Sequence, residues 1–333
     1  MKIVTISWVR NEDDILEAFI RHHARFASRM VIVDHRSQDG SRNILEKLKS
    51  EGLPLDIRHD ERFAHLQSEV VTRLAHEINE QEHPDWIFPL DGDEFLIPTD
   101  GDDVIESLAR EDPSQVLALP WRGYVLMPAD NENEPHILKR MTYRRKLEKP
   151  QWWKVALPQA ILKSDKDFKI PLGSHEILNE KMEPFPIKRS SRLALAHFPV
   201  RSLAQLLVKV VGGWLSHRLD PAMRDVRGTC FQWKAIYDEL REGRSLTRED
   251  LLRLSLAYAT AEQWNPLPVA GSALNKNEWN PTAIIHDPLP TDGVLKYPRS
   301  SIDAWQVLLK SAEDLADQYV RLALKSSKQP EKT

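Results

Sequence analysis

Residues 85–96 read DWIFPLDGDEFL, an apolar run that ends abruptly on acidic residues. The segment from Trp86 to Leu90 is short, uncharged and without helical spacing, so it predicts a strand that is buried on both faces. Strands of this kind are typical of parallel sheets that are covered by helices on each side. The stretch therefore indicates a protein of the α/β class, with Asp91 and Asp93 just beyond the end of a buried strand.

The same alternation of strand and helix extends in both directions from this run. Short apolar runs predict strands at residues 2–9, 30–33, 54–59 and 116–120. Apolar residues recur at helical spacing between them, which predicts amphipathic helices around residues 15–26, 44–48, 70–78 and 104–108. Strands and helices that alternate in this way form right-handed βαβ units, so we predict a mostly parallel sheet flanked by helices.

The second half of the chain has a looser pattern, with frequent proline, charged and aromatic residues. Strand-like runs are predicted at residues 155–162 and 193–198. Later segments are helical, with helices predicted near residues 202–219, 232–242, 247–262 and 301–325. We therefore predict one α/β domain over residues 1–215 and a helical C-terminal annex over residues 216–333.

The charge and the cysteine content of the chain limit the classes of function and the cell compartment that we expect. The chain has 46 basic and 50 acidic residues and a net charge of -4, which lacks the basic footprint of a nucleic-acid-binding protein. A single cysteine, Cys230, and the lack of a signal peptide or a long apolar span predict a cytoplasmic protein. The basic run at residues 139–149 leaves open a solvated face, a phosphorylated acceptor or a peripheral contact with the inner face of a membrane.

Polar and acidic residues follow several predicted strands at the point where each strand ends. Residues 10–12 (Arg-Asn-Glu) follow the first strand, Asp34 ends the second, and Asp91 and Asp93 follow the strand described above. Parallel strands bring these ends to one edge of the sheet, where ligands bind. Clustered carboxylates repel one another unless a cation offsets them, and a hard cation prefers carboxylate and phosphate oxygens. The sequence therefore predicts a site for Mn²⁺ or Mg²⁺, and the bound metal ion would bind the diphosphate of a nucleotide-sugar.

The order of these motifs resembles that of the family 2-type glycosyltransferases of the GT-A fold, in the bacterial branch that shares a DxDEF motif. The resemblance covers about residues 1–215 and rests on VRNE (9–12), VDHRSQDG (33–40), Gln67, DWIFPLDGDEFL (85–96), GSHE (173–176), HFPVRS (197–202), Lys209 and Gly212. It implies a Rossmann-like GT-A domain. It also implies metal-dependent transfer of a sugar, with inversion, from a nucleotide-diphosphate donor, expected to be a UDP-sugar, to a glycan or lipid-linked acceptor, as in polysaccharide biosynthesis.

The resemblance also implies roles for individual residues. The nucleotide donor would be contacted by Arg10, Asn11, Glu12, Asp34, Gln67, Asp91, Arg201 and Lys209. The metal would be held by Asp91 and Asp93, with His197 or His175 completing its shell. For the catalytic base, which must be a carboxylate within reach of the acceptor hydroxyl, we take Glu176 first and Glu94 second. The loop after Asp34 carries His35-Arg36 where the family has Asp or Asn, so base recognition can differ.

Alternatives remain at several of these positions. Asp34 is also a candidate helix cap, and His175 and His197 can instead be satisfied by local hydrogen bonds. Trp152 and Trp153 are candidates to line an acceptor groove, although core packing is the commoner role of tryptophan. At the level of function, the rivals are a nucleotidyltransferase and a non-catalytic nucleotide- or glycan-binding module. The first would need a glycine-rich loop after the first strand, and VRNEDD contains no glycine.

Overall fold

Eleven strands and ten helices are found in the described part of this computed structural model, which comprises residues 1–149, 151–220, 230–259, 283–291, 293–297, 299 and 303–326. The strands are β1 Ile3–Val9, β2 Arg29–Asp34, β3 Leu55–His59, β4 Trp86–Pro89, β5 Glu94–Pro98, β6 Val116–Gly123, β7 Tyr143–Arg145, β8 Trp153–Pro158, β9 Ile187–Arg189, β10 Leu193–His197 and β11 Ile284–His286. The helices are α1 Leu16–His23, α2 Ser41–Ser50, α3 Gln67–Glu82, α4 Val104–Ala109, α5 Ile137–Arg140, α6 Gln159–Ser164, α7 Leu203–Arg218, α8 Phe231–Arg241, α9 Arg248–Ala257 and α10 Ala304–Ser326.

One nine-stranded sheet organises these elements, in the order β3-β2-β1-β4-β8-β6-β10-β5, with β9 paired to β6. Strands β3, β2, β1 and β4 are parallel to one another, and β6 is parallel to both β9 and β10. Strand β8 is antiparallel to β4 and β6, and β5 is antiparallel to β10. The predicted fold class, α/β with a mostly parallel sheet flanked by helices and a helical C-terminal annex, is confirmed.

Strand β1 lies inside the sheet because both of its faces are apolar. Its side chains alternate between two core clusters, with Ile3 and Val9 in one and Val4, Ile6 and Trp8 in the other. All seven residues of the strand are buried. This alternation is the two-residue period of a strand covered on both sides, as the apolar run predicts.

The register of the sheet brings the strand ends together. Val9 of β1 pairs with Asp34 of β2, and Ile6 pairs with Pro89 of β4. The segments that follow β1, β2 and β4 therefore emerge at the same edge. Strand β10 adds His197 there, since this residue pairs with Glu94 at the start of β5.

One strand prediction needs correction. The run at residues 155–162 is not a single strand, because β8 ends at Pro158 and α6 follows over Gln159–Ser164. The backbone N–H of Gln159 donates to the carbonyl of Asp85, 3.0 Å away, which turns the chain out of the sheet. An apolar run of this length cannot by itself distinguish a strand from a strand followed by a short helix.

The helical prediction for the C-terminal part agrees with α7, α8, α9 and α10, while residues 260–262, 301 and 302 lie outside the described residues. The predicted boundary at residue 215 falls inside α7, so the division into two regions stays a prediction. No helix in the described ranges is both long and apolar enough to cross a membrane.

Candidate functional site

A cavity of about 340 Å³ opens at the edge where β1 and β4 end. Most of the residues singled out from the sequence line it. They are Arg10, Asn11, Glu12, Gln67, Asp91, Asp93, His175, His197 and Lys209. The structure thus gathers side chains from several separate strands and from helix α7 around one space.

Asp93 lies at the centre of this arrangement. The ammonium of Lys209 contacts its Oδ2, and Nη1 of Arg201 lies 3.6 Å from the same oxygen. His197 Nε2 lies 3.7 Å from Oδ1. Burial would raise the pKa of Asp93, but the cationic Lys209 and Arg201 outweigh it and hold the pKa below its ordinary value. Asp93 is therefore ionised at neutral pH.

Asp91 has two protein partners. The side-chain amide of Gln67 donates to its Oδ1 at 2.9 Å, and Lys154 Nζ lies 2.6 Å from its Oδ2. Lys154 is only 1% exposed and also lies 3.3 Å from Glu94. Lys154 is not among the residues expected from the sequence, although a lone lysine inside the apolar strand WKVALP indicates a buried anionic partner.

The structure places neither predicted catalytic base on the cavity lining. Glu94 is buried beneath it, where Trp121 Nε1 donates to Oε1 at 2.8 Å and the Asp91 N–H donates to Oε2 at 2.9 Å. Burial raises the pKa of Glu94 to about 8, although Lys154 opposes this shift. Glu176 is exposed outside the cavity. The assignment of Glu176 or Glu94 as the base therefore stays a prediction.

Arg201 also differs from its predicted role as a phosphate ligand. It is buried, and it donates to both carboxylate oxygens of Asp14, at 2.9 and 2.8 Å, and to the carbonyl of Phe198 at 3.0 Å. It contacts Glu12 as well. Because its donors are used by the protein and it does not line the cavity, its function is to tie the segment after β1 to the segment after β10.

Asp34 does not reach the cavity either. Its side chain is fully buried, contacts Arg42, and accepts a hydrogen bond from the Ser37 N–H at 3.2 Å. His59 Nδ1 lies 3.7 Å away. It does not cap α2, whose N-cap residue is Gly40. The carboxylate instead holds the loop after β2, so its predicted contact with the nucleoside is not supported.

Aromatic side chains form two groups on the cavity lining. In the first group Trp8 stacks on His35 with ring centroids 4.0 Å apart, and His65 meets Trp8 edge-on. The second group is Trp121, Trp152 and Tyr258, which contact His175 or His197. Trp152 lines the cavity as predicted, whereas Trp153 does not. The cavity lining therefore combines an ionic centre with two groups of flat rings.

Two side chains at the centre, Asp93 and His197, would be the ligands of a divalent cation. Burial lowers the pKa of His197 to about 3, so its imidazole is neutral, and Nε2 lies close to the ionised Asp93. Asp91 is bound by Gln67 and Lys154, although its side chain is 35% exposed, and His175 Nδ1 lies 2.6 Å from the carbonyl oxygen of Trp153. Within the described ranges, no group of three or more His, Cys, Asp or Glu side chains is arranged to hold a metal. A cation at Asp93 and His197 would need phosphate oxygens to complete its shell.

Gly212 and Gly213 are neighbours in α7 and both line the cavity, but the space beside their Cα atoms differs. A Cβ at Gly213 would lie 2.9 Å from the ring of Trp233, whereas one at Gly212 would meet no atom within 4 Å. We expect Gly212→Ala to raise the free energy of unfolding by about 0.5–1 kcal/mol, because glycine weakens a helix interior. Gly213→Ala should lower it by about 1–3 kcal/mol through overpacking. Urea unfolding of the matched pair checks this, and equal effects would contradict it.

Comparisons with known proteins are limited to the solved structures, since no protein-family model and no curated protein matches the chain. A mannosyltransferase from Pyrobaculum calidifontis, solved with GDP-Man and Mn²⁺, is 13% identical with a TM-score of 0.35, over 78% of this chain and 81% of its own. A glucosyl-3-phosphoglycerate synthase from Mycobacterium tuberculosis, solved with Mg²⁺ and UDP, is 12% identical with a TM-score of 0.29, over 49% and 58%. A mannose-1-phosphate geranyltransferase from Thermus thermophilus is 14% identical with a TM-score of 0.29, over 49% and 59%. The chain thus spans about three fifths of the last two proteins.

Proposed function

We propose that this protein is a glycosyltransferase that moves a sugar from a nucleoside-diphosphate donor to a hydroxyl of a glycan or lipid-linked acceptor, with inversion. The observation that carries the proposal is the ionised Asp93, which lies beside Lys209 in a cavity that is also lined by two groups of aromatic rings. Such a centre suits a diphosphate, and the two groups of flat rings suit a nucleobase and a sugar.

The diphosphate lies, in this proposal, against Lys209 and the cavity side of Asp93. The ammonium of Lys209 is a compact charge that can meet phosphate oxygens. Mn²⁺ or Mg²⁺, held by Asp93 and His197, would offset the charge that develops on the leaving diphosphate. Lys154 and Arg201 stay in the protein framework, where they keep Asp91 and Glu12 in position.

The group of Trp121 and Trp152 would receive the sugars, and the group of Trp8, His35 and His65 would receive the nucleobase. Trp121 and Trp152 line the cavity, and aromatic rings pack against the apolar C–H faces of a pyranose. His175 and His197 contact these rings. Both histidines are neutral, because burial lowers the pKa of each. These rings and neutral histidines therefore suit an uncharged sugar best, both as the group transferred from the donor and as the acceptor.

A cytoplasmic location, with surface contact at the inner face of a membrane, remains part of the proposal. The basic run at residues 139–149 gives this contact limited support. Arg145 is buried beside Glu148, and Arg144 contacts Asp287. Fewer of its cations are therefore free to meet anionic lipid than the sequence indicates.

Ligand binding tests the proposal directly. We expect at least one nucleoside diphosphate to raise the melting temperature of the protein by several degrees, because a ligand at 100 times its Kd stabilises the native state by about 2.7 kcal/mol. Mn²⁺ should increase the shift and EDTA should reduce it. Differential scanning fluorimetry with UDP, GDP, CDP and ADP measures this, with the free nucleosides as controls.

Two outcomes would contradict the proposed function. The first is no thermal shift with any of the four nucleotides, in the presence or absence of Mn²⁺. The second is binding accompanied by release of pyrophosphate from a nucleoside triphosphate, which would indicate a nucleotidyltransferase. Release of a nucleoside diphosphate from a nucleotide-sugar, accelerated by a saccharide acceptor, would support the transferase.

A further inference from the structure

Helix α10 has an apolar face on each of two sides, and the two faces differ in exposure. On the inner face Ala304 and Val307 are buried against α7. On the outer face Trp305 is 71% exposed, Leu309 62% and Tyr319 74%. A helix at the surface of a domain normally presents polar side chains on the side opposite its buried stripe. The outer face of α10 departs from this pattern and is a candidate docking surface.

The outer face has the spacing of a helix that pairs with another helix. Its residues follow one another at steps of four, three, four and three, and all are exposed: Trp305, Leu309, Ala312, Ala316 and Tyr319. Such alternating steps keep the side chains on one narrow stripe along the helix. The two alanines in the middle leave room for a second helix to approach, since the distance between packed helices depends on the side chains at the contact.

One flank of this stripe is charged, and its charges complement one another when two copies run antiparallel. Lys310, Glu313 and Asp317 are exposed along this flank. If Trp305 of each copy lies opposite Tyr319 of the other, Lys310 of one copy lies opposite the segment that carries Glu313 and Asp317 of the other. A parallel pair would instead set each charge beside its own equivalent, which is repulsive. Flanking charges of this kind set the orientation of paired helices.

A membrane surface is the other occupant that an exposed face with tryptophan and tyrosine could meet. The charges of α10 disfavour it. Residues 303–321 contain four acidic residues and two basic ones. Helices that lie on anionic membranes carry lysine and arginine on their polar face, whereas an acidic surplus is repelled by such lipids. Pairing with a second copy uses charges of both signs and is therefore the occupant that the flank favours.

We propose that α10 is a dimerisation helix, which pairs antiparallel through its outer face with α10 of a second copy of this chain. A two-fold interface uses the same surface on both copies, so a face that complements itself gives a closed dimer. A single helix pair buries less surface than a standard interface of about 1,600 Å², and we therefore expect a reversible dimer with a micromolar Kd. The inference goes beyond the proposed function and does not depend on it.

Sedimentation velocity of the full chain, over about a hundredfold range of protein concentration, tests the proposal. We expect the mass to rise from one copy towards two as the concentration rises. Leu309→Glu should raise the Kd of the dimer by about tenfold or more, because it places a charge inside the apolar stripe. Leu147→Glu is the matched control, since Leu147 is 67% exposed outside α10 and its substitution should leave the Kd unchanged.

An exchange of charges tests the antiparallel alignment. Lys310→Glu in one variant, and Glu313→Lys together with Asp317→Lys in a second, should each weaken self-association because like charges then face each other. An equimolar mixture of the two variants should associate more tightly than either alone, since opposite charges meet again. If the mixture associates no better than the separate variants, the antiparallel alignment is wrong. All three substituted positions are exposed, and circular dichroism checks that the variants fold.

Three outcomes overturn the proposal as a whole. A mass of one copy at every concentration shows that the outer face does not pair with itself. A dimer that Leu309→Glu leaves intact pairs through another surface. Flotation of the wild-type chain with phosphatidylglycerol vesicles, lost in Leu309→Glu and without any dimer in solution, shows that the face meets a membrane instead. Nucleotide binding is measured separately, so none of these results bears on the proposed function.

Discussion

Replacing Asp93 with asparagine is expected to lower kcat/KM for sugar transfer by about 10³-fold, the cost of losing one central electrostatic group in an active site. The substitution keeps the shape of the side chain but removes the charge that Lys209 and Arg201 face. The centre then carries excess positive charge and loses an oxygen ligand suited to a divalent cation. Steady-state release of nucleoside diphosphate from the donor, with and without acceptor, measures the effect.

The control for this prediction is Asp100→Asn. Asp100 is likewise paired with an arginine, Arg192 at 2.9 Å, but lies on the surface away from the cavity. It should retain full activity. Circular dichroism of both variants separates loss of chemistry from loss of folding. If Asp93→Asn keeps more than a tenth of the wild-type activity while folded, Asp93 is not the central residue of the reaction.

Replacing Arg201 with methionine should give the largest loss of stability, about 3–5 kcal/mol. Arg201 is the buried partner of two carboxylates, Glu12 and Asp14, and it is 1% exposed. Methionine fills part of the volume but leaves both acids without their cation. Breaking a buried ion pair on one side strands a charge in the interior, which costs more than the pair itself contributes. Urea unfolding of the two proteins gives the difference in free energy.

A rescue variant shows whether stranded charge is the cause. Adding Asp14→Asn to Arg201→Met removes one of the abandoned carboxylates and should recover part of the lost stability. Arg110→Met is the exposed control, because Arg110 is 53% exposed beside Asp102 and such surface pairs contribute about 0–1 kcal/mol. A loss below 1 kcal/mol for Arg201→Met, or no recovery in the double variant, would contradict this explanation.

The parallel half of the sheet could be predicted because its information is local. Strands β1, β2 and β4 are short apolar runs that end on polar residues, and a strand covered on both faces must read this way. Strand β5 was missed because it begins only a few residues after β4, so the two together read as one motif. It forms by antiparallel pairing with β10, whose residues lie about a hundred positions later in the chain.

The sequence could predict which residues form the candidate site but not which of them form ion pairs with one another. The sequence correctly proposed that residues 10–12 and 91–93 meet, because strand ends in a parallel sheet share an edge, and the resemblance added His197. It assigned Arg201 to phosphate and Asp34 to the nucleoside. The structure instead pairs Arg201 with Asp14 and Asp34 with Arg42. Each carboxylate takes the cation that the fold brings nearest, and this depends on packing between distant segments.

The amino-acid sequence alone determined the α/β class, the edge of the sheet at which acidic side chains collect, and the helical character of the C-terminal part. These follow from hydrophobic periodicity, which is a property of neighbouring residues. Only the tertiary structure decided which charged side chains pair with one another inside the protein and which face the cavity. Lys154 pairs with Asp91 and Arg201 pairs with Asp14, whereas Arg10 lines the cavity, because Coulomb attraction acts over a few ångströms between residues far apart in the chain.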